Sequence, residues 1–328
     1  MNEKCLLLSI GGSMQQLYKV FSPAHMAGIP VRSIEEIRLN PMPETEYIFG
    51  TWGFPVMEEA EIAALFPKLK MVLYAAGSVQ FFARPFLARG VRVCSAWAAN
   101  AVPVAEFAAA QIVLANKGYF QLSERYRKGA EGAVTYAMGF QEGNYGAKVG
   151  LLGAGMIGQH VIRLLKAYAL EIWVYDPYIS AEKAAALGVV KKELAEVFAN
   201  CRTVSNHMAN KPETVGVLGY TLFSSMLPNA TFINTGRAAQ VVKADLLRAM
   251  AECPDRTALL DVTDPEEPLL PDSEYWDYPN VFHTPHRAGS MELETRRMAQ
   301  YVMDEYARLL AGEPLLYEVT LEMLTTMA

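Results

Sequence analysis

The stretch "KVGLLGAGMIGQHVIRLLKAYALEIWVYDPY", residues 148–178, decides the fold. An apolar run ends in Gly153, Gly155 and Gly158, spaced G-x-G-x-x-G, and an amphipathic helical pattern opens at Met156 and Ile157. Gly153 permits a tight turn, Gly155 lets backbone amides approach a pyrophosphate, and Gly158 lets the helix pack closely on the sheet. The positive end of that helix then faces the phosphates. A second apolar run, "EIWVYD", ends in Asp176, close to the roughly 20-residue spacing of a dinucleotide fold. Its carboxylate can accept hydrogen bonds from ribose hydroxyls and repels a 2′-phosphate. No arginine follows at once, which favours NAD over NADP, although Lys183 weakens that preference. The competing reading is a glycine turn that binds nothing. Strand, helix and acid in register argue against it.

Working outward, "RTVSNHM", "TFINTG", "TALLDVT" and "NVFHTP" continue the series of strands, with helical patterns between most of them. Before it, "CLLLSI", "EYIFGTW", "KMVLYAAG" and "VRVCSA" alternate with the helical patterns "VMEEAEIAALF" and "VQFFARPFLARG". Such alternation predicts α/β architecture, parallel sheets with helices on both faces. Pro103 is expected to open a long apolar helix ended by Gly118, and a final helix is expected from Ser290 to Gly312, its apolar positions including Leu293, Met298, Tyr301, Val302 and Leu309. Residues 118–146, irregular and rich in Gly and Tyr, read equally as an arm for a partner subunit or an ordinary surface excursion. The boundaries expected are 101–290 for one domain and 1–100 plus 291–328 for the other.

The 328 residues suffice for two domains, and with 52% hydrophobic and 20% charged residues both can bury cores. The 29 basic and 35 acidic side chains give a net charge of −6 without a basic cluster, so no nucleic-acid partner is expected. "MNEKCLLLSIGG" lacks a signal peptide's core, and "AEFAAAQIVLA" is shorter than the roughly 20 residues of a membrane helix. Cys5, Cys94, Cys201 and Cys253 lie far apart, without a CxxC pair. They read as reduced, mostly buried thiols of a cytoplasmic protein, and no metal site is expected.

Ligands of an open α/β sheet bind outside the carboxyl ends of its strands. Arg237 follows "TFINTG", Glu266 follows "TALLDVTDP", in which Asp261 lies near the strand end, and His286 follows "NVFHTP". An arginine, a carboxylate and a histidine at one rim suit reduction of a carbonyl, and Asp261 could hold a nicotinamide carboxamide. His207 could touch the ligand through its backbone. His283, inside a strand, reads as a packed or hydrogen-bonded core residue. Trp52 reads equally as a cleft or a core tryptophan.

With "GLLGAGMIGQHV", "FINTGRAAQV", "LLDVTDPEEPL" and "NVFHTPHRAGS" in hand, the chain resembles the D-isomer-specific 2-hydroxyacid dehydrogenase family over nearly its whole length. The resemblance implies two doubly wound parallel-sheet domains: a Rossmann NAD-binding domain and a flavodoxin-like substrate domain, with the active site in an interdomain cleft. It implies hydride exchange between NAD(H) and a small 2-oxo acid or its D-2-hydroxy acid, in a homodimer. By that match Arg237 grips the substrate, His286 gives the proton, and Glu266 orients His286. Thr235 and Gly236 join the cofactor-facing residues. The "AAGSV" turn, with Ala76, Gly77 and Ser78, offers amides to the substrate carboxylate, Asn100 lies near the cleft, and Glu106 fits the pattern at the crossing. Three departures stand out. Gly236 precedes Arg237 and Ala238 follows it, where the family has Arg-Gly. Ala209 in "NHMAN" stands where proline is usual. "DPEEP" carries one extra residue, so counting from Asp261 selects Glu266 and counting back from Pro268 selects Glu267; the strand end is the firmer anchor, and Glu266 is chosen. The competing function is an NAD(H)-sensing, corepressor-like regulatory protein with little catalysis.

Overall fold

The alternating runs become two parallel sheets. The computed structural model describes residues 4–127, 129, 143–264 and 267–325. It divides into two units, Met1–Ala101 with Ser290–Ala328, and Val102–Gly289.

In the first unit, β1 (Cys5–Ser9), β2 (Val31–Ser33), β3 (Tyr47–Gly50), β4 (Met71–Tyr74) and β5 (Arg92–Ser95) pair in parallel in the order β2-β1-β3-β4-β5. This is the doubly wound 2-1-3-4-5 order of flavodoxin-like folds. Both faces are covered, so the strands are apolar along their whole length. Leu6, Leu8, Ile48 and Val72 face Phe54, Phe82 and Phe86. Leu7, Phe49 and Leu73 face Met298, Val302 and Tyr306 of the helix Leu293–Ala311. The far edge of β5 takes a short antiparallel strand near the chain's end, Glu318–Val319. Glu318 there forms a two-pronged ion pair with Arg92, at 2.6 and 2.7 Å.

The second unit holds β6 (Lys148–Leu152), β7 (Glu171–Tyr175), β8 (Val190–Lys191), β9 (Thr203–Asn206), β10 (Thr231–Asn234), β11 (Thr257–Leu260) and β12 (Val281–His283). All are parallel, in the order β8-β7-β6-β9-β10-β11-β12. The order reverses at β6 and β9, beyond whose carboxyl ends the ligand crevice of such a sheet lies. The register aligns Tyr175, Leu152, Asn206, Asn234, Leu260 and His283 in one row across the sheet. That row is the rim from which the candidate site is built.

Some elements differ from expectation. The helix expected to open at Pro103 begins at Trp97 and runs to Ala115, with Pro103 inside it. Alanines 98, 99 and 101 favour helix and are buried, which outweighs the one bond that proline's missing amide removes. By length and composition this helix could cross a membrane; Ala105, Ala108 and Ile112 are buried in the second unit's core. Leu293, the first residue of the final helix, is 84% exposed and stands outside the apolar stripe. Residues 119–127 of the irregular segment form a helix; residues 128 and 130–142, on which the partner-arm reading rests, lie outside the described residues.

Gly150 is where a helix presses on β6. A Cβ there would lie 2.2 Å from Val197 Cγ1 and 3.2 Å from Cys201 Sγ. Gly150→Ala is therefore expected to cost about 1–3 kcal/mol through overpacking. An unchanged urea midpoint would contradict this packing.

Candidate active site

The three glycines of the turn meet three different steric demands. Gly153 follows β6 with φ +95°, and a Cβ on it would lie 2.8 Å from the His207 carbonyl oxygen. On Gly158 a Cβ would lie 2.1 Å from the Gly153 carbonyl oxygen, so the helix Met156–Leu165 could not seat. On Gly155 it would meet nothing within 4 Å. The space beside Gly155 is thus open at a helix N-terminus, whose first amides have no intrahelical acceptor, as a pyrophosphate requires. Ile157 packs into the core while Met156 is partly exposed. Asp176 stands one residue past β7. Its Oδ2 accepts the Ala154 amide at 2.7 Å and its Oδ1 the Tyr178 amide at 2.8 Å. The carboxylate is therefore fixed beside the turn. These features fit a bound dinucleotide.

Along the same rim, Asp261 stands one residue past β11 and is 3% exposed. Its Oδ1 accepts the Thr284 hydroxyl at 2.6 Å and the Arg287 amide at 2.7 Å, and its Oδ2 accepts the Ala288 amide at 2.9 Å. Its carbonyl accepts the His286 amide at 3.0 Å. These bonds hold His286 at φ +51°, a conformation that L residues seldom adopt and that usually costs about 1 kcal/mol or more. Strain of this kind, held by its surroundings, marks functional positions.

Nδ1 of His286 meets Oε1 of Glu267 in a short contact. Glu266, chosen by counting from Asp261, lies outside the described residues. The carboxylate seen on the imidazole is the one reached by counting back from Pro268. A strand end sets where a loop departs; an extra residue in that loop changes which side chain returns.

Arg237 stands three residues past β10, partly buried, and donates from Nη1 to the Gly236 carbonyl at 2.8 Å. Among the described residues the other guanidinium donors have no hydrogen-bond acceptor. Burial pulls its pKa below the ordinary value, and the charge of Glu267 opposes that. Thr235, also buried, lies 3.4 Å from Nδ1 of His207, whose amide donates to Leu152.

Burial pushes the pKa of His207 down to about 4, so its ring is neutral. The same cause brings His283 to about 4. His283 packs edge-on against Tyr275 and Trp276, and among the described residues neither ring nitrogen has a hydrogen-bond partner.

In the first unit, Ser95, at the end of β5, donates to the carbonyls of Ala76 (2.9 Å) and Gly77 (2.5 Å). Because a trans peptide points its N–H opposite its C=O, the Gly77 and Ser78 amides face away from Ser95. Among the described residues neither donates a hydrogen bond. A Cβ on Gly77 would lie 3.6 Å from Asn100 Nδ2, while Asn100 Oδ1 accepts the Ser290 amide at 2.9 Å. The Asn100 carboxamide thus lies beside Gly77. Glu106 is exposed. Trp52, on an exposed turn, is not in the core. The sequence reading passed over Ser95; its position at the end of a strand of the first unit was the available signal.

Two results are expected. Gly155→Ala should keep wild-type stability and lose NADH binding, whereas Gly158→Ala should lose both; NADH titration beside thermal melts checks this, and equal melts for the two variants would contradict it. Below pH 6.5 the unfolded chain protonates His207 and His283 while the fold does not, so stability should fall as pH drops from about 6.5 towards 4. His283→Phe should shrink the Tm difference between pH 7 and pH 5; a difference as large as wild type's would count against the unpaired ring.

The family model for D-isomer specific 2-hydroxyacid dehydrogenase, NAD binding domain, matches residues 109–288. The D-3-phosphoglycerate dehydrogenase of Mycobacterium tuberculosis (strain H37Rv) is 31% identical over 258 residues, 78% of this chain and 48% of that protein. That of Methanocaldococcus jannaschii is 28% identical over 226 residues, 69% and 42%. The chain spans less than half the length of the curated relatives it matches. Among solved structures, the NAD-complexed D-isomer specific 2-hydroxyacid dehydrogenase of Lactobacillus delbrueckii ssp. bulgaricus aligns with TM-score 0.77 and 18% identity, over 98% of this chain and 100% of that one. A phosphoglycerate oxidoreductase from Rhizobium etli aligns with TM-score 0.80 and 22% identity, over 98% and 99%. These two agree with the fold. The family match covers more than half the chain and includes the glycine turn, Asp176, Arg237 and His286: the chain belongs to the D-isomer-specific 2-hydroxyacid dehydrogenase family, with NAD as its cofactor.

Proposed function

We propose that this chain reduces a small 2-oxo acid to its D-2-hydroxy acid, and runs the reverse oxidation, with the Val102–Gly289 unit as NAD domain and the other as substrate domain. The observation that carries the reading is the His286–Glu267 contact on the same strand-end rim as Arg237 and the glycine turn.

When bound, NADH supplies a hydride to the carbonyl carbon. Glu267 takes Nδ1 of His286, which leaves Nε2 to give its proton to the carbonyl oxygen and recover it in oxidation. Arg237 holds the carboxylate and polarises the carbonyl with donors that the protein leaves unspent. Asp176 takes the ribose hydroxyls, and His207, Thr235 and Gly236 border the cofactor. Three of the roughly four lone-pair directions of Asp261 are used, and the fourth is assigned to the nicotinamide carboxamide. Family resemblance supports a homodimer through the NAD domain. The unpaired cysteines suit a cytoplasmic location.

Loss of NADH absorbance across a panel of 2-oxo acids, including a phosphorylated one, tests the proposal. Turnover should depend on His286, with His286→Ala reducing kcat by roughly two to four orders of magnitude. Arg237→Ala should chiefly raise KM for the 2-oxo acid. Binding of NADH with no turnover of any panel member would favour the regulatory alternative, and an undiminished His286→Ala rate would remove the assignment of the acid.

A further inference from the structure

We propose that Gln240 is the positioning residue that couples the cofactor-side loop 207–209 to the loop carrying Arg237; its role in turnover rests on the dehydrogenase reading above. Gln240 ends the short turn Ala238–Gln240, is fully buried, and directly precedes the apolar pair Val241-Val242. A buried carboxamide offers two donors and two acceptor sites, and here all four are met. Its Oε1 accepts from Asn206 Nδ2 at 2.6 Å and from the Arg237 amide at 3.4 Å. Its Nε2 donates to the carbonyls of Met208 at 3.1 Å and Ala209 at 2.9 Å.

The partners extend the hub. Asn206 Nδ2 also donates to Asn234 Oδ1, which accepts the Gly236 amide, and Asn234 Nδ2 donates to the Arg237 carbonyl. Both main-chain polar groups of Arg237 are thereby tied, so the guanidinium extends from a fixed base. On the other side the hub holds the loop that begins with His207.

The same side chain bears on one departure from the family pattern and on the glycine ahead of Arg237. Ala209 lacks the stiffness of proline, and its carbonyl is held by Gln240 instead. A Cβ on residue 236 would lie 2.9 Å from Asn206 Nδ2 and 3.0 Å from Gln240 Oε1, so a side chain there would push both carboxamides from their present hydrogen bonds. Ala209, Gly236 and Gln240 therefore form one coupled set.

Gln240→Met keeps the length and volume of the side chain and removes all of these bonds, together with the longer one from Nε2 to Thr214 Oγ1 at 3.4 Å. NADH Kd by fluorescence titration, and KM and kcat for an accepted 2-oxo acid, are compared with wild type, with circular dichroism as the check on folding. The expected result is a rise of about tenfold or more in both NADH Kd and 2-oxo acid KM, with a smaller change in kcat, since buried polar groups are left unpaired. A folded Gln240→Met with wild-type Kd and KM would overturn the proposal. If that variant does not fold, Gly236→Ala crowds the same amides without deleting one and should raise both constants; wild-type values there would overturn it equally. Should the wild-type protein turn over no 2-oxo acid, the dehydrogenase reading fails, and the NADH Kd of Gln240→Met against wild type still decides whether the hub exists.

Discussion

The carboxylate of Asp261 is the constraint on which the rest of the site depends. Buried at a strand end, it takes a hydroxyl and two amides from the five residues that follow β12. Charge-assisted bonds of this kind are stronger than neutral ones, and together they hold His286 in a left-handed conformation that a free chain would leave. The imidazole therefore projects from the rim in one orientation, with Nδ1 on Glu267. The residue that shapes the turn makes no contact with the ring itself, yet it decides where the imidazole is held.

A parallel sheet explains how residues far apart in sequence meet. Every strand of the second unit ends on the same side, and the register puts six strand ends in one row. Gly153, Asp176, His207 and Asp261 each follow that row by one residue, and Arg237 and His286 by three. The chain returns to one rim with every crossover, so each return can deliver one functional group.

Much of this was legible in the sequence, for identifiable reasons. The glycine turn reads clearly because part of its steric demand is local to one strand–turn–helix: the Gly158 contact is with Gly153, within the same motif, although Gly153 itself meets the His207 carbonyl. Arg237, Asp261 and His286 read from their offsets past apolar runs. The choice between Glu266 and Glu267 did not, because one inserted loop residue makes the count from Asp261 and the count back from Pro268 disagree. The early start of the helix at Trp97 was hidden by Pro103, whose local penalty is offset by tertiary burial. Strands β2 and β8 and the strand Glu318–Val319 have two or three residues each, too few for periodicity. Gln240 and Ser95 were silent for another reason. Their partners are backbone carbonyls and side chains brought near only by the fold.

The central claim is that Arg237 and the Glu267-held His286 face one carbonyl beside the nicotinamide. A crystal structure of the protein with NADH and oxamate, an unreactive analogue of a 2-oxo acid, tests it most directly. The expected result is an oxamate carbonyl oxygen within hydrogen-bonding distance of His286 Nε2, its carboxylate on Arg237, and Glu267 still on Nδ1. Oxamate bound away from His286, or a ring turned so that Nε2 meets Glu267, would contradict it.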